Sequence, residues 1–289
     1  MHLADTAAVA WWIWPIALFF ATFALGIIAV LSGVGGGVLF VPIVGSFFPF
    51  HLDFVRGTGL LLALAGALSA APSLLASGLA SLRLAMPFAL VGSTASIFGA
   101  LLGLALPAAL MHTLLGATIL AVAALIWRST RSAYPEVAAP DRLAAALRLN
   151  GVYQDPMDSR TVHWQTHRTP AGLVLFAGIG VFAGMFGLGA GWANVPVLNL
   201  VLGAPLKVSV ATSGVVLSVV DTSAAWIYLH SGAVLPLIAV PSIVGVMLGA
   251  KIGARLLRIA PAATVRKVVI ALLLVAGVRA LLKGTGLWN

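Results

Sequence analysis

Gly33-Val34-Gly35-Gly36-Gly37, running on to Val41-Pro42, and Gly187-Leu188-Gly189-Ala190-Gly191, running on to Val195-Pro196, decide how this chain folds. Both stretches interrupt long apolar runs in which a helix would otherwise continue. Glycine inside a helix costs roughly 1 kcal/mol relative to alanine. Three in five residues, twice over, mark breaks in membrane helices. Within a bilayer such breaks survive only where protein buries them or a cavity runs alongside.

Composition names the solvent. Hydrophobic residues make up 61% of the chain and charged residues 8%, with a mean hydropathy of +1.12. A soluble domain carries roughly 25% charged residues, so this is an integral membrane protein. Cysteine is absent, which excludes disulfides, thiol catalysis and thiolate metal sites. The formal charge of +9 would suggest nucleic acid in a soluble protein. Here it is explained by basic loops on the cytoplasmic side, and no nucleic-acid partner is expected. Met1 to Ala10 has no Lys or Arg ahead of the apolar run, so no cleavable signal is expected.

The chain aligns with itself, without a gap, at a shift of 154 positions. Gly33, Gly35, Gly37, Val41 and Pro42 fall on Gly187, Gly189, Gly191, Val195 and Pro196. Thr58 falls on Thr212, Ser77-Gly78 on Ser231-Gly232, Pro87 on Pro241, Gly99-Ala100 on Gly253-Ala254, and Pro107-Ala108 on Pro261-Ala262. Apolar composition alone would not put so many Gly and Pro in register, so the chain is an internal duplication.

Each half contains five apolar segments, near 11–33, 37–50, 57–77, 84–105 and 108–127, then 170–187, 191–204, 209–230, 234–254 and 266–283. The second of each set is shorter than the roughly 20 residues of an ordinary span, and is expected to pair with its predecessor as a hairpin or bent span. The expected layout is a first transmembrane repeat over 1–127, a polar cytoplasmic loop over 128–168, and a second transmembrane repeat over 169–289. The middle stretch reads as a loop, not a folded domain. His163 and His167 within it are four apart, but no carboxylates accompany them, so no metal and no cofactor is expected. The fold class is an all-α polytopic membrane protein with broken or short helices at the glycine motifs.

Five segments per half is an odd number, which predicts inverted repeats. With the middle loop inside, the inverted arrangement puts 13 of the 16 Lys and Arg on the cytoplasmic side. Arg56, Arg279 and Lys283 remain outside, and both termini face outward. A parallel arrangement splits the same charges 9 to 7. The positive-inside rule favours inversion. Trp11, Trp12 and Trp14, and Trp226 with Tyr228, fit an outer aromatic belt, and Trp127 an inner one.

At these motifs the chain resembles the sulfite exporter TauE/SafE family of membrane transporters. The resemblance rests on both pentads, on Gly151-Val152-Tyr153-Gln154-Asp155-Pro156 in the middle loop, and on Ala204-Pro205-Leu206-Lys207-Val208-Ser209-Val210-Ala211-Thr212-Ser213. Here Ala190 stands where the family's second pentad usually has a glycine, and Trp192 where a smaller residue is common. The resemblance implies a carrier of small sulfur-containing anions, such as sulfite or organosulfonates, in the cytoplasmic (inner) membrane.

The chemistry of the breaks agrees with an anion. A short helix begins near Val38 and another near Trp192, each presenting unsatisfied N–H groups and roughly half a positive charge. With no side chains in the way, the N–H groups of Gly33, Gly35, Gly36 and Gly37, and of Gly187, Gly189, Ala190 and Gly191, could approach an oxyanion. Hydroxyls of Thr58, Thr212 and Ser213, and the amide of Asn194, either donate to the same anion or bond within the helices. Asp221 is the one acidic residue near the centre of a span. It reads as a proton-coupling group or as a neutral structural carboxyl, with Ser218 and Thr222 near enough to stabilise it. Gly245, Gly249 and Gly253 form a close-packing stripe that could serve an internal contact or a homodimer.

No nucleophile with its base, phosphate loop or ATPase motif is present, so an enzyme is not expected. The leading reading is a secondary transporter of a small anion. An anion channel, and then an intramembrane enzyme, are the alternatives.

Overall fold

The structure, a computed structural model, describes residues 12–32, 36–76, 78–128, 135, 137–154, 161–189, 191–256 and 262–287. Gly33, Gly35 and Ala190 of the expected site lie outside these residues. So do Trp11, Ser77, Arg131, Asp155, Pro156, Arg160, Arg258 and Pro261.

Each apolar segment becomes a helix. In the first half these are α1 (Ile13–Ser32), α2 (Gly36–Phe47), α3 (Leu52–Ala76), α4 (Leu82–Ala105) and α5 (Ala108–Arg128). In the second they are α7 (Thr169–Phe186), α8 (Gly191–Pro196) with a π-helical turn Val197–Val201, α9 (Leu206–His230), α10 (Pro236–Leu256) and α11 (Ala262–Gly284). Among the described residues, five stretches are long and apolar enough to cross a membrane, at Leu82–Ala105, Ala108–Leu125, Thr169–Phe186, Leu206–His230 and Pro236–Gly253. The chain is an all-α polytopic membrane protein.

The glycine breaks stop helices by different means at their two ends. Gly187 closes α7 in the left-handed conformation, φ 67°, with its N–H on Ala183 O. Pro196 then removes one N–H from the short helix that follows, and the backbone widens into the π turn at the next residue. Asn199 Nδ2 and Ser209 Oγ both donate to Ala204 O, at 2.9 and 3.1 Å, and so fix the turn against the start of α9.

The middle stretch is more ordered than a loop. It carries a short helix α6 (Arg142–Ala146) and an antiparallel hairpin of β1 (Asn150–Gln154) and β2 (Thr161–Gln165), with Gly151 opposite Trp164. Sequence reading missed the hairpin: β2 alternates polar and apolar residues, but β1 does not, and the surrounding stretch is polar. A β-carbon at Gly151 would stand 2.8 Å from the Trp164 ring, so the glycine lets that ring lie on the backbone. Leu149, Tyr153 and Trp164 pack in one cluster with Leu84, Phe88 and Leu202. His167 N–H donates to Leu202 O at 3.0 Å. The unit is thus seated on the ends of α4 and the π turn.

Lipid-facing helices gain little from apolar association, so close backbone approach decides packing. The largest interfaces are α1 with α10 and α4 with α7. Gly245 and Gly249 of α10 lie on Phe19, Thr22 and Phe23 of α1, which fixes the glycine stripe as an internal contact. Gly180 and Gly184 of α7 lie on Gly92 and Ser96 of α4, and Gly103 lies on Met185. In both pairs the helices run parallel. The repeat-equivalent pairs α3 with α9 and α5 with α11 also pack together, and these run antiparallel: Gly57 meets Tyr228, while Gly116 meets Leu281 and Gly284 meets Thr113.

Candidate functional site

The two breaks meet. A β-carbon at Gly37 would stand 2.7 Å from Leu188 O and 3.0 Å from Gly59 O. One at Gly59 would stand 2.5 Å from Gly187 O. The first motif therefore lies against the second, with the start of α3 wedged between them. Gly37, Val38, Gly187, Leu188 and Gly189 are all buried. Gly36 and Gly191 are half-buried, and Gly36 faces Val246 of α10.

Asp221 joins this centre from α9. It is fully buried, and a β-carbon at Gly189 would come 3.1 Å from its Oδ2 and 2.9 Å from Ala63 Cβ. Ser218 and Thr222 do not serve it as donors: their hydroxyls bond back to Gly214 O at 2.9 Å and Ser218 O at 2.6 Å. Asn194 of α8 is fully buried, and neither its amide N nor its O has a hydrogen-bond partner among the described residues. The Thr58 hydroxyl and Trp192 Nε1 are in the same condition. Buried polar atoms are paired in most structures, so three such side chains beside one pair of breaks call for a partner beyond the described residues. Trp192 packs against both halves of the apolar core at once.

Thr58 and Thr212 are not brought to one point. Gly57 packs on Tyr228, more than four turns beyond Thr212, so roughly 24 Å of helix separates the two threonines. Thr212 Oγ1 accepts the Ser81 N–H at 3.1 Å, at the start of α4. Ser213 beside it is buried.

Sequence reading missed Arg56. It placed this arginine outside the third span, whereas α3 begins at Leu52 and buries Arg56 at 2% exposure. Nη1 donates to Gly103 O at 3.1 Å and Met185 O at 3.0 Å, and Nη2 donates to Asp53 Oδ1. Tyr228 supports the same corner, donating to Gly184 O at 3.0 Å with its ring 5.7 Å from the guanidinium carbon. The belt position expected for Tyr228 is therefore wrong: it is fully buried, and Trp226 alone of that pair is exposed. The legible signal was Asp53 three residues before Arg56, a spacing that pairs opposite charges on one helix face. Together Arg56 and Tyr228 satisfy the carbonyls that α7 leaves open just before Gly187.

A family model described as Sulfite exporter TauE/SafE matches residues 18–280, nearly the whole chain and both breaks. The chain belongs to the sulfite exporter TauE/SafE family. No curated protein and no solved structure matches it. Membership in TauE/SafE makes the chain a member of a family of membrane transporters for anions. Among the described residues of this TauE/SafE protein, Asn194, Thr58 and Trp192 bring unpaired buried polar atoms to the glycine breaks.

Proposed function

We propose that this chain is a secondary transporter that exports sulfite, an organosulfonate or a related sulfur-containing anion across the cytoplasmic membrane. The observation that carries this reading is the contact of the two breaks, with Gly37 on Leu188 and Gly189 on Asp221. Glycine lets the two broken stretches approach until their backbones touch, which brings short helices to one centre as in carriers built on broken spans. Asn194, Thr58 and Trp192 supply N–H and O–H donors, with Gly33, Gly35 and Ala190 completing the motifs. Thr212 and Ser213 line the far end of the path. Asp221 is the proton-coupling group, since a carboxylate and a bound anion at close range repel.

The two repeats are inverted, with residues 128–168 in the cytoplasm. The antiparallel packing of α3 on α9 and of α5 on α11 supports this, since equivalent helices of parallel repeats would run the same way. The 13-to-3 division of basic residues supports the orientation. A reporter fused after Asn289 is expected outside, and a cytoplasmic reporter would overturn the orientation.

Flux into proteoliposomes, measured for sulfite, sulfoacetate, taurine, thiosulfate and sulfate, tests the function. Saturable movement of at least one of the sulfur oxyanions is expected. If none moves, the transport reading fails; ohmic currents in planar bilayers would replace it with a channel.

A further inference from the structure

Arg56 places a full positive charge among the ends of α3, α4, α7 and α9, at the end of the bundle remote from the middle region. An unpaired guanidinium there would be costly, so each of its donors needs a partner. Nη1 has two carbonyls, Gly103 O and Met185 O, and the Tyr228 ring lies alongside. Nη2 has Asp53 Oδ1. Nε is buried and has no hydrogen-bond partner among the described residues.

Nε and Nη2 form one edge of the guanidinium, the edge that holds two oxygens of a single oxyanion side by side. Asp53 fills half of it with one oxygen. Its side chain is 27% exposed, and its other oxygen lies 3.3 Å from Nδ1 of His51, which is 61% exposed. The same Nδ1 lies 3.4 Å from the Asp53 N–H, so the His51 ring sits over Asp53 from the exposed side. Asp53 is therefore held from the water side and can leave in that direction.

We propose that the Nε–Nη2 edge of Arg56 is a second anion subsite at the outer mouth of the path, and that the Asp53 carboxylate occupies it in place of substrate. A sulfite or sulfonate group, with several oxygens on one sulfur, takes both donors and displaces Asp53. A halide has a single centre and does not match the edge. The place in the fold agrees: a β-carbon at Gly187 would stand 2.6 Å from Arg56 Cα, so this residue adjoins the second break. This inference rests on the anion-transport reading above.

Sulfite flux into proteoliposomes, compared for the unaltered protein, Asp53→Asn and Arg56→Lys, tests it. Asp53→Asn keeps the side chain's shape and removes the competing charge, so KM for sulfite falls about fivefold, the effect of removing one competing charge of modest strength. Arg56→Lys keeps the charge and loses the edge, so KM rises about tenfold. Melting temperatures in detergent give a readout without transport. Sulfite raises that of Asp53→Asn more than that of the unaltered protein. Equal rises, or an unchanged KM in Asp53→Asn alongside normal flux in the unaltered protein, would overturn the subsite alone. Absence of sulfite flux in the unaltered protein would overturn the transport reading and the subsite with it. Should Arg56→Lys not fold, Asp53→Asn still decides.

Discussion

The Asp221 carboxylate faces Gly189 so closely that a β-carbon there would stand 3.1 Å from Oδ2. A titratable group and a backbone break thus share one wall, and each constrains what the other can do. Asp221→Asn copies the neutral form of the side chain. For an organosulfonate, whose own charge is constant near neutral pH, flux through the unaltered protein should fall as pH rises and ionised Asp221 repels the anion. In Asp221→Asn the profile should be flat. An unchanged pH profile in the variant would remove Asp221 from coupling.

Gly189→Ala should abolish most flux. The position has φ 72°, a conformation that costs a side chain about 1–2 kcal/mol, and the new methyl would press on Ala63 and Asp221. Gly178→Ala is the matched control, because a β-carbon there meets nothing within 4 Å. It should melt no lower than the unaltered protein and transport normally. Equal damage from both would mean that glycine content alone, not the site, sets activity.

Gly37→Ala addresses the first break through packing only. Its β-carbon would drive the two motifs apart at Leu188 and Gly59, both through backbone atoms that cannot swing away. Flux is expected to fall at least tenfold, since displacement of a binding centre by about 1 Å has effects of that size or larger. Near-normal flux would show that the breaks need not touch.

Tyr228→Phe keeps the ring against Arg56 and removes the hydroxyl that bonds Gly184 O and Met185 O. The variant should lose about 1 kcal/mol of stability, read as a lower melting temperature in detergent. A melting temperature equal to that of the unaltered protein would show that water takes over at those carbonyls.

The two short helices should differ in selectivity. Trp192 opens the second and touches both halves of the core, whereas Val38, its repeat partner, is packed in one. Trp192→Gly should change the ratio of sulfite to sulfoacetate flux more than Val38→Gly does. Equal changes would count against an asymmetric site.

The helices and their breaks were legible because a cluster of Gly acts locally, whereas single Gly and Pro such as Gly92, Pro87 and Pro241 stand inside unbroken helices. The repeat register was legible for the same reason. What one sequence could not show was contact between distant positions, such as Gly37 with Leu188 or Thr212 with Ser81. Thr58 and Thr212 illustrate the gap, since equivalence in the register suggested one shared ligand and antiparallel packing separates them. Arg56 was misplaced because hydropathy ends a span at the first charge, while pairing with Asp53 lets the helix carry that charge inward. Of the strands at Asn150–Gln154 and Thr161–Gln165, only the second alternates polar and apolar residues, and the stretch around them is polar.

The antiparallel pair α3 and α9 buries one charged residue of each sign, Arg56 and Asp221, and neither has a charged counterpart in the other repeat. Arg56 corresponds to Val210, and Asp221 to Ala67. In the proposed inverted frame the two ends would otherwise be equivalent, and these two side chains are what tells them apart. For the proposed transporter, unequal affinity at the two faces of the membrane is the expected consequence, carried by two residues and not by the repeated scaffold.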